Sequence, residues 1–128
     1  MQNILFVALG GALGACSRYL LIEAVIFLHR GSAFPVGTIL VNILGSFLMG
    51  VFHFYLTHHL ESMPIQARLF LATGLLGGFT TFSAFSVDTL RLISASQYGL
   101  ALAYVLSSVI LSILAIFLGF YLSQYFSS

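Results

Sequence analysis

Apolar residues run almost unbroken through four stretches of the chain, at positions 4–28, 38–56, 65–93 and 100–125. Each is long enough to cross a hydrocarbon core as a helix, which takes roughly 20 residues. The segments between them, 29–35, 57–64 and 94–99, are short and hold turn residues together with most of the remaining polarity. The pattern predicts an all-α integral membrane protein with four transmembrane helices in a single domain, 1–128.

The third stretch does not read as a plain lipid-facing helix. At its middle stands Thr73-Gly-Leu-Leu-Gly-Gly-Phe-Thr-Thr-Phe-Ser-Ala-Phe-Ser86, which mixes three glycines with hydroxyls and three phenylalanines. Glycine loosens a helical backbone, and inside a bilayer a loosened backbone is tolerated only where it faces protein or a wet cavity. The third helix is therefore expected to break between Gly77 and Thr80 and to present polar backbone to something. Unwound carbonyls beside half-helix ends are suited to holding ions. Phe79, Phe82 and Phe85 recur at every third residue, a spacing that aligns them on one helical face.

Composition narrows the function classes. Hydrophobic residues make up 60% of the chain and charged ones 5%, far from the balance of a soluble domain. There is no lysine and the formal net charge is +1, so no basic patch for nucleic acid or anionic lipid is expected. The lone Cys16 has no partner for an intrachain disulfide. Leu13-Gly14-Ala15-Cys16 has the look of a lipoprotein cleavage site, but nothing basic precedes the apolar run and the run continues past the cysteine, so a retained helix is expected.

Orientation follows the distribution of basic residues. Arg30 and Arg91 fall in or beside the first and third loops, and Arg68 lies by the second loop on the side of the amino terminus. So even a balance predicts insertion both ways up and pairing with an inverted copy. Small residues four apart, Gly10 and Gly14, Ser46 and Gly50, Gly74 and Gly78, Ser108 and Ser112, suit close helix approach, whether between copies or within one.

Several polar residues sit inside the spans. Arg18 is an anion attractor at a cavity mouth, a snorkelling residue at the interface or a structural partner for another group, since a central arginine costs about 2.5–3.5 kcal/mol to insert. Glu23 is five residues on, which does not face it squarely, and is read as interfacial. Asn42 offers amide donors to an anion or, as the favoured reading, to a neighbouring helix. Tyr104, Ser108 and Ser112 share one face of the last span, as a hydroxyl track or as groups bonded back to their own helix. His53, His58 and His59, with only Glu61 near them, read as interfacial histidines rather than a metal site. The carboxylates Glu23, Glu61 and Asp88 fall in different segments and no catalytic constellation is visible, so no enzyme is expected.

Gly74-Leu-Leu-Gly-Gly-Phe-Thr-Thr-Phe-Ser-Ala-Phe-Ser86 resembles the third-helix signature of the Fluc (CrcB) fluoride channels. The resemblance extends to Gly10-Gly-Ala-Leu-Gly-Ala-Cys-Ser-Arg18, to Gly37-Thr-Ile-Leu-Val-Asn42 and to the Tyr104, Ser108 and Ser112 face. Ala84 stands where the family usually has threonine, and Asp88 where it usually has glutamate.

The resemblance implies a passive fluoride channel in the bacterial inner membrane, built as an antiparallel homodimer with two pores in contact with lipid. It implies Phe82, Phe85, Asn42, Thr81, Ser83, Tyr104, Ser108 and Ser112 along the fluoride path and Arg18 at its vestibule. It also implies a structural sodium ion on the backbone carbonyls of Gly77 and Thr80. Phenylalanine fits such a path because ring edges are electropositive. The alternative is a small proton-coupled multidrug exporter, also short and four-spanning, in which Glu23 would be the essential carboxylate.

Overall fold

The computed structural model describes residues 1–59 and 62–128. Four helical spans appear: α1 (Gln2–Leu28), α2 (Val36–His58), a composite third span (Ile65–Ser94) and α6 (Tyr98–Ser127). Pro35 and Pro64 stand at the N-caps of the second and third spans, where a missing N–H costs nothing. Helix α1 passes straight through Cys16, whose side chain is exposed.

The third span comprises α3 (Ile65–Arg68), a π-helical stretch (Leu69–Leu76), α4 (Gly77–Phe79) and, after a break, α5 (Phe82–Ser94). Thr80 and Thr81 are extended, with ψ of 155° and 117°. Gly77 and Gly78 remain helical, so the break falls at the far edge of the interval expected from the glycines. Two bonds mark it. Both the Thr80 N–H and its hydroxyl donate to the Leu76 carbonyl at 3.0 Å, ending the helix, and α5 restarts with the Thr81 hydroxyl accepting from the Ala84 N–H at 3.1 Å. Phe79 is thereby parted from Phe82 and Phe85. It is buried in contact range of Gly45 on α2, and the three rings do not form one face.

Packing runs in two pairs: α1 lies along the first half of the third span, and α2 along α6. Glycine makes both approaches possible. A methyl group on Gly14 would run into the Leu75 carbonyl, and one on Gly50 into the Ile116 carbonyl of α6. Gly10, Gly74 and Gly78 meet backbone across the same α1 seam, so most of the small-residue spacing is used inside the chain. One end of the molecule holds a core of Ile39, Leu92, Ala101 and Tyr104, flanked by Phe34, Ile43 and Phe85. Large apolar side chains of α1 and α6, among them Leu9, Leu20, Leu106 and Leu118, point outward, as lipid-facing positions do.

Candidate anion pathway

The break needs partners for the backbone groups it frees, because each unsatisfied one in a bilayer interior costs several kcal/mol. Asn42 supplies them. The Thr81 N–H donates to Asn42 Oδ1 at 2.8 Å, and Asn42 Nδ2 donates to the Thr81 carbonyl at 3.0 Å. The amide is therefore helix-to-helix glue, with its second N–H still to place. Beside it the Thr81 and Ser83 hydroxyls lie 3.2 Å apart.

Between α2, α5 and α6 lies a cavity of about 370 Å³ whose wall includes Asn42, Thr80, Thr81, Phe82, Phe85, Ser108 and Ser112. The Phe82 and Phe85 ring centroids are 5.3 Å apart and their planes are inclined by 44°. Ser108 is only 5% exposed, and its hydroxyl has no hydrogen-bond partner among the described residues. Phe82, by contrast, is 78% exposed on the single chain.

Tyr104 shares a helix face with Ser108 and Ser112, yet its hydroxyl is spent elsewhere. It is fully buried and donates to Asp88 Oδ2 at 3.3 Å, the oxygen that also accepts from the Thr38 hydroxyl at 2.7 Å. Its ring packs on Phe85 at 5.3 Å and edge-on to Phe34 at 5.7 Å. Asp88 is thus the hub of a buried network that also takes in Arg91, 3.7 Å away. Sequence reasoning missed this hub. The available signal was that Thr38 and Asn42 stand four apart and so share one face of α2.

A second cavity, of about 710 Å³, opens among α1, the first loop, the start of α2 and α5. Arg18, Ser83, Ala84 and Asp88 lie on its wall, and Thr81 borders both cavities. Arg18 Nη1 reaches the Thr80 carbonyl at 3.5 Å, so this arginine both lines the cavity and partners the unwound backbone. Arg30, Arg91 and His29 line the same space. Composition gave no basic patch, but folding gathers three of the four arginines onto one wall.

The remaining candidates lie apart. Glu23 is exposed and lines neither cavity. His58 donates from Nδ1 to the Phe54 carbonyl at 2.9 Å, His59 stacks on Tyr55, and His53 faces Phe120. No cluster of three metal-ligating side chains occurs among the described residues, and Glu61 lies outside them.

Residues 5–120 match the family model described as CrcB-like protein, Camphor Resistance (CrcB). The chain belongs to the CrcB family. The fluoride-specific ion channel FluC of Cereibacter sphaeroides is 51% identical over 119 residues, covering 93% of this chain and 92% of its own. The FluC of Rhizobium meliloti is 48% identical over 119 residues, covering 93% and 94%. That of Hahella chejuensis is 43% identical over 124 residues, covering 97% and 96%. With four membrane-length helices, this CrcB-family chain is a multi-pass membrane protein and a transporter rather than an enzyme. Family membership and the outward position of Glu23 together remove the drug-exporter alternative.

Proposed function

We propose that this CrcB-family chain is a passive, fluoride-selective channel that works as an antiparallel homodimer with two pores. The observation that carries the proposal is the cavity beside the break. It combines the Asn42 amide, the Ser108 hydroxyl and two phenylalanine rings, and the buried Ser108 hydroxyl has no hydrogen-bond partner among the described residues. A buried polar group without a partner calls for one. An anion stripped of water needs such donors, since an uncompensated buried charge costs tens of kcal/mol.

In this scheme the anion enters from the vestibule beside Arg18 and passes the Thr81 and Ser83 hydroxyls. It then moves along the ring edges of Phe82 and Phe85 and the hydroxyls of Ser108 and Ser112. Tyr104 supports the path from behind, fixing the Phe85 ring. The exposure of Phe82 supports a second subunit, which would complete the wall that one chain leaves open. Hydrogen fluoride entering a cell as a neutral acid would dissociate in the more alkaline interior. The membrane potential, about 2.3 kcal/mol per charge per 100 mV, then drives the anion out without energy coupling.

A structural sodium ion at the subunit dyad fits the carbonyls present. In a continuous helix the Thr81 N–H would occupy the Gly77 carbonyl; here it donates to Asn42, and Gly77 is exposed. The extended Thr80 turns its carbonyl out of the helix, where Arg18 approaches it at 3.5 Å. Two hard oxygens from each chain suit a small alkali cation, and the ion would fasten the two breaks together.

The test is anion efflux from liposomes containing the purified protein. Rapid fluoride release with chloride retained, independent of any sodium or proton gradient, is expected. Chloride release as fast as fluoride would overturn selectivity, and fluoride flux that scales with an imposed sodium gradient would make the protein a symporter.

A further inference from the structure

The vestibule holds more positive charge than a passing fluoride ion uses. Arg18, Arg30 and Arg91 line it, and its one carboxylate among the described residues, Asp88, already accepts from Thr38 and Tyr104 and faces Arg91. Glu23 is off the wall. A concave surface of one sign focuses its field into the space it encloses. Arg30 stacks on Phe27 at 4.6 Å, a face contact that orients the guanidinium and consumes none of its N–H donors. Arg91 also reaches the open space, its side chain being 76% exposed.

Size and geometry decide which anion suits this space. At about 710 Å³ it is too wide to grip a bare fluoride ion, which would stay hydrated there. A tetrahedral oxyanion instead offers paired oxygens that a guanidinium fork takes two at a time. Arg30 follows the end of α1 at Leu28, and Arg91 lies in the last turn of α5, so both sit where a spanning helix meets the headgroup layer.

We propose that the vestibule is a binding site for a phosphate-class oxyanion, held between Arg30 and Arg91 above Arg18. Free phosphate and the phosphodiester of an anionic lipid present the same chemistry to these forks. The site stands independently of whether fluoride passes beneath it.

Equilibrium dialysis of the purified protein in neutral detergent against radiolabelled inorganic phosphate tests the first source. Native mass spectrometry after incubation with phosphatidylglycerol tests the second. Wild-type protein should retain at least one of the two probes, and Arg30→Gln should lower its retention by about fivefold or more. Salt should weaken it, since exposed charges are screened over about 10 Å at 0.1 M. Phosphate retained without lipid assigns the free oxyanion, and the reverse assigns the headgroup. Fluoride efflux by Arg30→Gln in liposomes, unchanged within about twofold, shows that the fold is intact. Loss of fluoride efflux in wild type with binding preserved would sink the channel proposal and leave this one standing. Equal retention of both probes by wild type and Arg30→Gln overturns it.

Discussion

Asn42 on α2 and Thr81 in the broken third span exchange two hydrogen bonds, 2.8 Å and 3.0 Å long, one in each direction. A single side chain thus does for Thr81 what a continuous helix would have done. Asn42→Asp keeps the acceptor for the Thr81 N–H but loses the donor to the Thr81 carbonyl, and sets a carboxylate beside the path. Fluoride efflux from liposomes should fall at least tenfold while size-exclusion chromatography still shows an assembled protein. Normal efflux would remove Asn42 from the path.

The two phenylalanines of the smaller cavity, Phe82 and Phe85, differ in what surrounds them. Phe82 is largely exposed on the single chain, whereas Phe85 packs on Tyr104. Isoleucine at either position keeps most of the volume and removes the ring edges, so both Phe82→Ile and Phe85→Ile should cut fluoride flux. Both changes remove the Phe82–Phe85 pair, and Phe85→Ile removes the Tyr104 pair as well, so it should lower thermal stability by roughly 0.5–1.5 kcal/mol more, the worth of an aromatic pair. Matched stability losses in the two variants would contradict the burial difference.

The Thr38, Asp88 and Tyr104 network predicts a stability phenotype distinct from a conduction phenotype. Asp88→Ala strands two buried hydroxyls, each at about 1–3 kcal/mol. Asp88→Asn retains an oxygen able to accept from one of them. Thermal unfolding in detergent should rank wild type above Asp88→Asn, and Asp88→Asn above Asp88→Ala. Asp88→Ala as stable as wild type would show that the network contributes nothing.

Insertion should be two-way. Arg30 and Arg91 line one cavity, and Arg68 lies in α3, which packs near the start of α1. Reporter tags after Ser128 should appear on both sides of the membrane in comparable amounts, and added C-terminal lysines should shift the ratio. A single orientation in the untouched protein would exclude the antiparallel homodimer.

The spans were legible because each is a long apolar run bounded by proline, glycine and serine. The existence of a break was legible too, in the glycines of the third span. Its place within the expected Gly77–Thr80 interval was not: Gly78 packs closely against α1, Gly77 stays helical, and the unwinding falls on the threonines that Leu76 and Asn42 hold. Equal spacing suggested one face for Phe79, Phe82 and Phe85, but periodicity carries across a helix and not across a break. The direction of the Tyr104 hydroxyl was hidden for another reason. Spacing fixes the face of a side chain, while the direction of its hydroxyl depends on a partner, here Asp88, that sequence distance does not reveal.

The two attachments of α5 have a mechanical meaning. Its cap residue Thr81 is fastened to Asn42, and Asp88, seven residues on, is fastened to Thr38, one turn away along the same face of α2. The anchor points are about 6 Å apart along α2 and about 10 Å apart along the third span, at 1.5 Å of rise per residue. A segment clamped at two separated points is a strut: to swing, it must first release one clamp and leave buried polar groups bare. The half-helix carrying Phe82 and Phe85 therefore has no pivot of its own, and the rings keep their inclination without a moving part.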